Sequence, residues 1–188
     1  MKYLLFILLS ITLSFAQDKN CIYDYEEETD SIFVKVLPEK LIYERVYGNI
    51  KEMIHFVLIN NNGVPTLNLQ YIQTSKDFIT ASCLDKTSRI VFQLANGKIV
   101  TLISNNEEVC NNLIYNKEDK NNIRILDGYF LFTKNNYEEL KKSPVHLMRI
   151  QFTNGAKDFV IKKEIQSELL NTTYYPEKIF IDFLNCLE

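Results

Sequence analysis

Four cysteines and two histidines are the residues of this 188-residue sequence with the most specific chemistry. Cys21, Cys83, Cys110 and Cys186 match no CxxC spacing, which argues against a zinc site. An even number of cysteines in an exported chain reads as disulfides, and four cysteines allow three pairings. Cys83 and Cys110 flank a central hairpin almost symmetrically, while Cys21 and Cys186 lie near the two ends. The expected pairs are therefore Cys83–Cys110 and Cys21–Cys186, each worth roughly 2–4 kcal/mol. One pair left as free thiols is the alternative.

His55 sits in the apolar run Met53-Ile-His-Phe-Val57, and His146 follows Pro144-Val145. Either is a conceivable base for a His–Ser–Asp site, but no nucleophile elbow accompanies it. No HxH or HExxH spacing points to a metal. Asp119 with Asp127, or Asp158 with Glu164, would be carboxylate pairs for acid–base work only in apolar surroundings that nothing in the sequence indicates. There is no P-loop and no GxGxxG, and five glycines leave little for phosphate cradles. We therefore expect no catalytic residue, metal ligand or cofactor.

The remaining candidates are surfaces. Arg149, Lys157, Lys162 and Lys163 form a modest basic patch, read either as an anion site or as lysines that blunt an edge strand. Tyr43, Tyr47 and Tyr71 are candidates for an exposed aromatic contact surface, with Arg149 and Lys162 beside them as possible contacts. The acidic run 24–30 lacks the spacing and glycine of an EF-hand and reads as a solvated lead-in.

The elements that must carry these residues are mostly strands. Residues 89–104 read as two strands joined at Asn96-Gly97, a dipeptide suited to a tight hairpin turn. A two-residue loop there sets Leu94 opposite Ile99, Phe92 opposite Thr101 and Ile90 opposite Ile103. Both faces are mostly apolar, so this hairpin is expected in the middle of a sheet, covered on both sides. A second hairpin turns at Asn154-Gly155. It puts Met148, Ile150, Phe152, Phe159 and Ile161 on one face and Arg149, Gln151, Asp158 and Lys162 on the other, as suits a position near a sheet edge.

Residues 32–37 read as a short strand ended by Pro38, 41–47 as strand or helical turn, 52–60 as strand, and 66–74 as strand with Leu67, Leu69 and Tyr71 on one face. With 78–84 extended, 52–104 becomes an antiparallel meander. Residues 105–122 are polar and irregular, and 123–127 and 129–133 are extended. A helix near 137–142 is capped by Asn136, and 163–170 have helical composition. A last helix over 176–187 begins at Pro176 and carries the stripe Phe180, Phe183, Leu184 and Leu187. The expected fold class is mainly β with some helix, an antiparallel sheet or sandwich with a C-terminal helix packed on it.

Lys2 and the apolar run ending at Ser14-Phe15-Ala16 form an export leader, expected to be cleaved after Ala16. Residues 17–188 then form a single β-rich domain, periplasmic or secreted, with no transmembrane segment. Removing Lys2 takes the formal charge from −3 to about −4, which argues against nucleic-acid binding. Asp30-Ser31-Ile32 and Asn171-Thr172-Thr173 are short glycosylation-type sequences.

The composition, rich in Asn, Lys, Ile, Tyr and Phe, is that of an AT-rich bacterial genome. The leader end Phe15-Ala16-Gln17, the segment Arg149-Ile-x-Phe-x-Asn-Gly-x-x-Asp-Phe159 and the ending Phe180-Ile-x-x-Leu-x-Cys186-Leu resemble small exported proteins of Bacteroidetes that carry no assigned function. The resemblance implies a periplasmic or secreted location and transfers no active site. The expected role is a non-enzymatic envelope domain contacting a protein or glycan. The rivals are an exported hydrolase built around His146, and a small-molecule carrier with an apolar cavity under the C-terminal helix.

Overall fold

Period-two alternation of apolar residues dominates the chain, and strands follow from it. The computed structural model describes residues 21–188, so the expected leader and its cleavage point lie outside the described residues. The strands are β1 (Tyr25–Glu28), β2 (Phe33–Val36), β3 (Lys40–Tyr47), β4 (Ile50–Asn61), β5 (Val64–Ser75), β6 (Cys83–Leu84), β7 (Arg89–Leu94), β8 (Ile99–Ser104), β9 (Val109–Cys110), β10 (Asn112–Asn116) and β11 (Asn121–Leu131). Helix α1 (Lys134–Leu140) precedes β12 (Val145–Phe152), β13 (Gly155–Val160), β14 (Ile165–Gln166) and β15 (Thr173–Tyr174). The chain closes on α2 (Ile179–Phe183), flanked by single 3-10 turns within 176–187.

All the strand pairs are antiparallel. Eleven strands form one sheet in the order β1-β2-β4-β5-β11-β8-β7-β12-β13, with β3 beside β4 and β10 beside β11. Its weak point is the seam between β11 and β8, which pair only at Phe130↔Ser104 and Leu131↔Ile103. There the sheet folds over into two layers. Tyr71 of β5 reaches Phe152 and Phe159 of the β12–β13 hairpin, with ring centroids 6.1 and 5.9 Å apart. Tyr43 of β3 meets Phe159 edge-on at 5.0 Å, and Phe56 of β4 meets Phe92 of β7 at 6.2 Å. The sheet is thus both curled and sandwich-like, with one continuous apolar core between the layers.

Each open end of the sandwich is closed by a disulfide-pinned segment. At one end Cys21–Cys186 fixes the C-terminal helix. Phe180 there packs on Phe56, Phe92 and Phe132, and the Tyr23 hydroxyl donates to the Cys186 carbonyl at 2.8 Å. At the other end Cys83–Cys110 joins β6 to β9, and the segment 76–84 crosses the mouth. Gly128 of β11 makes room for this closure: a Cβ there would lie 2.3 Å from Leu84 Cδ1.

Several expectations are corrected. The central hairpin turns over three residues, with Gly97 N–H donating to the Leu94 carbonyl and Gly97 at φ +83°. Pairing is therefore Phe92↔Val100 and Ile90↔Leu102, one residue from the expected register. The hairpin is central, but it is not covered on both sides: Ile99 and Ile103 are exposed on the outer face. The second hairpin turns at Thr153-Asn154, one residue earlier than expected, which moves the pairing register by two residues. A two-residue shift preserves the faces, so Met148, Ile150, Phe152, Phe159 and Ile161 are all buried as read from the sequence.

The expected meander is broken, because β11 lies between β5 and β8 and residues 78–82 are not strand. Residues 123–133 are covered by one long strand and its exit, not two segments. Helix α1 begins at Lys134 after Thr133, and Asn136, inside the helix, donates to the Thr101 carbonyl at 2.6 Å rather than capping. The acidic lead-in includes the short strand β1, and 163–170, whose type the composition left open, hold β14 and a turn.

Candidate functional site

Strand β4 alternates Glu52, Ile54, Phe56 and Leu58 onto the inner face, where all four are buried. Glu52 is the anomaly: a carboxylate in a core row. The register places Gln73 of β5 beside it and Arg124 of β11 beyond, so the inner face becomes polar at the mouth. Lys157 of β13 shares the inward parity of Phe159 and reaches across from the other layer.

Three side chains converge on one oxygen of Glu52. Glu52 Oε1 accepts hydrogen bonds from the Tyr71 hydroxyl at 2.8 Å and Gln73 Nε2 at 3.3 Å, and forms an ion pair with Lys157 Nζ. Lys157 Nζ also donates to the Tyr71 oxygen at 2.9 Å. Glu52 Oε2 lies 3.6 Å from Arg45 Nη1 and makes no hydrogen bond, and neither does Gln73 Oε1. Burial pushes the Glu52 carboxyl up, but the hydrogen bonds from Lys157, Tyr71 and Gln73 outweigh it and hold the group below its ordinary value. Burial, with the Glu52 charge beside it, pushes the Tyr71 phenol far up.

Above this cluster opens a cleft of about 460 Å³. Its walls include Thr74, Ser75, Thr80, Ser82 and Asn154, and Phe78 stands exposed at its rim. The segment 76–82 that forms one wall is held by its backbone. Arg124, itself buried, donates from Nε to the Ile79 carbonyl at 2.7 Å and from Nη1 to the Asn111 carbonyl at 2.8 Å. Asn154 Nδ2 donates to the Ala81 carbonyl at 3.0 Å, and Ser82 N–H donates to Asn111 Oδ1 at 3.0 Å. Buried Arg124 thus ties the closing segment, through Ile79, to Asn111 between β9 and β10.

Chemically the cluster holds charge. Tyr71 keeps its proton, and Glu52 is shielded and already engaged. The lining hydroxyls have no histidine among them. Two cations face the cleft, Lys157 and Arg45, with side chains 38 % and 50 % exposed; of the two carboxylates in its lining, Glu52 between them is 5 % exposed and Asp77 stands exposed on the segment 76–82. No three His, Cys, Asp or Glu side chains among the described residues converge as a metal site would require.

The sequence candidates are scattered. Tyr71 is not a surface contact: its alternation with Leu67 and Leu69 buries it, at 1 % exposure. Tyr43 is half-buried against Phe159, and Tyr47 is exposed at the end of β3. Arg149 is bound by Asp158 through two hydrogen bonds of 2.6 and 2.7 Å, and Lys157 faces inward, so of the basic patch Lys162 and Lys163 stand exposed. His146 is exposed, and its imidazole has no partner among the described residues; His55 is buried in the other layer, with Nδ1 3.5 Å from Glu39 Oε1. Asp119 and Asp127 are engaged separately by Asn116 and Gln70. Ser31 and Asn171 stand exposed in turns. Glu52, Gln73, Arg45 and Arg124 were missed, although a Glu at an inward position of a strand was the available signal.

No known protein family, curated protein or solved structure matches the chain.

Proposed function

We propose that the protein is an exported, non-enzymatic binding domain of the bacterial envelope that seats an acidic glycan in the mouth cleft. The observation that carries this reading is the pair of half-exposed cations, Lys157 and Arg45, over one buried carboxylate. A carboxylate or sulfate on a sugar ring would complete their coordination. Hydroxyl and amide groups along the wall and an exposed Phe78 at the rim suit the polar edges and apolar face of a sugar. Two disulfides fit folding in an oxidising compartment.

The hydrolase reading centred on His146 draws no support from its surroundings. The carrier reading rests on a smaller cavity, about 300 Å³ between β3 and the C-terminal helix, lined by Leu41, Ile42, Ile179 and Phe183, beside Phe180 packed on Phe56, Phe92 and Phe132.

Calorimetric titration with uronate-containing and neutral oligosaccharides of equal length tests the proposal. Binding confined to the acidic series, weakened about tenfold or more by Arg45→Gln, is expected. Equal binding of both series, or an Arg45→Gln protein that binds unchanged, would reject it.

A further inference from the structure

Edge strands of soluble proteins are defended, because a free row of backbone groups pairs with any strand that meets it. Most edges here follow the rule. Strand β1 carries three glutamates, β13 carries Lys157 and Asp158, and β3 carries Lys40, Glu44 and Arg45. Strand β10 does not. It pairs with β11 on one side, and among the described residues no strand takes the other. It holds no charge, no proline and no bulge, and Leu113, Ile114 and Tyr115 are 43 %, 51 % and 57 % exposed. Ile114 lies opposite Ile123, with exposed Ile125 further along β11, so the apolar surface continues onto the sheet face.

The order of residues says what covers this edge. Asn112-Leu-Ile-Tyr-Asn116 is symmetric in chemistry about Ile114. A two-fold axis through Ile114 pairs two copies antiparallel, with Asn112 opposite Asn116, Leu113 opposite Tyr115 and Ile114 opposite itself. An isologous interface requires such self-complementarity, whereas capture of an unrelated peptide does not. We infer that the open edge of β10 is a self-association surface, through which two copies of this chain join their sheets about Ile114.

Sedimentation of the oxidised protein over a range of concentrations should give twice the chain mass. Two double variants fix the register. Leu113→Lys with Tyr115→Lys sets like charges opposite each other on the two rungs that flank the axis and should give a monomer. Leu113→Glu with Tyr115→Lys is as polar, but sets opposite charges on those rungs and should remain a dimer. These positions are exposed, so circular dichroism should be unchanged in both; if either fails to fold, Ile114→Lys, which sets two like charges on the axis, takes its place and should give a monomer. A wild-type protein that stays monomeric, or charge variants that dissociate alike, would overturn the inference.

Discussion

Lys157 and Glu52 meet across the mouth of the sandwich, one from each layer, and their ion pair is the polar counterpart of the aromatic contacts behind it. Because Glu52 is buried, removing its partners leaves a charge without compensation. Glu52→Ala should cost about 3 kcal/mol in chemical denaturation, and Lys157→Met about 2 kcal/mol. The double variant Glu52→Ala/Lys157→Met should cost less than the sum, since the two sites couple directly. Additive losses would show that the pair is not formed in solution. The carboxyl is held below its ordinary value of 4.5, so its contribution is complete above that pH and is lost as pH falls through the lowered value. Glu52→Gln should therefore flatten the stability profile below pH 4.5.

The two disulfides close opposite ends, and their removal should be separable. Cys21–Cys186 spans 165 residues and Cys83–Cys110 spans 27. Chain entropy gives about 5 and about 3.5 kcal/mol respectively. Paired Cys→Ser changes at 21 and 186 should therefore lower stability more. Paired changes at 83 and 110 should loosen the segment 76–84, which walls the cleft, and weaken ligand binding at a temperature where the sheet is intact. Thermal denaturation beside calorimetric titration checks both. Equal effects on binding from the two ends would contradict the placement of the site.

What the sequence made legible was local alternation. Leu67, Leu69 and Tyr71 share a face, the second hairpin buries its five apolar residues, and the cysteines pair as their positions imply. The reading of Tyr71 as surface chemistry went against that alternation, and its phenol finds a buried partner in Glu52. The site was not legible because its members lie on β3, β4, β5 and β13, and only the fold across the β11–β8 seam brings them together. The insertion of β11 beside β5 is a long-range choice that no short-range turn signal encodes. Likewise, Asn96-Gly97 announces a turn, but two- and three-residue loops share that dipeptide, and the register differs by one.

His55 gives the protein an acid response distinct from that of Glu52. Its imidazole is buried on β4, and burial lowers its affinity for a proton, although Glu39 and Glu44 partly restore it. A histidine whose folded pKa lies below its unfolded value of 6.5 binds its proton more readily in the unfolded chain. Its neutral form therefore contributes stability above pH 6.5, and that contribution falls away as pH drops from 6.5 toward the lowered value. Urea midpoints measured from pH 7.5 down to pH 5 should decline in the wild type. His55→Gln, which stays neutral, should remove most of that decline while lowering the midpoint at pH 7.5 by about 1 kcal/mol equivalent for imperfect packing. A wild-type profile that is flat over this window would show that the imidazole titrates alike in the folded and unfolded chains.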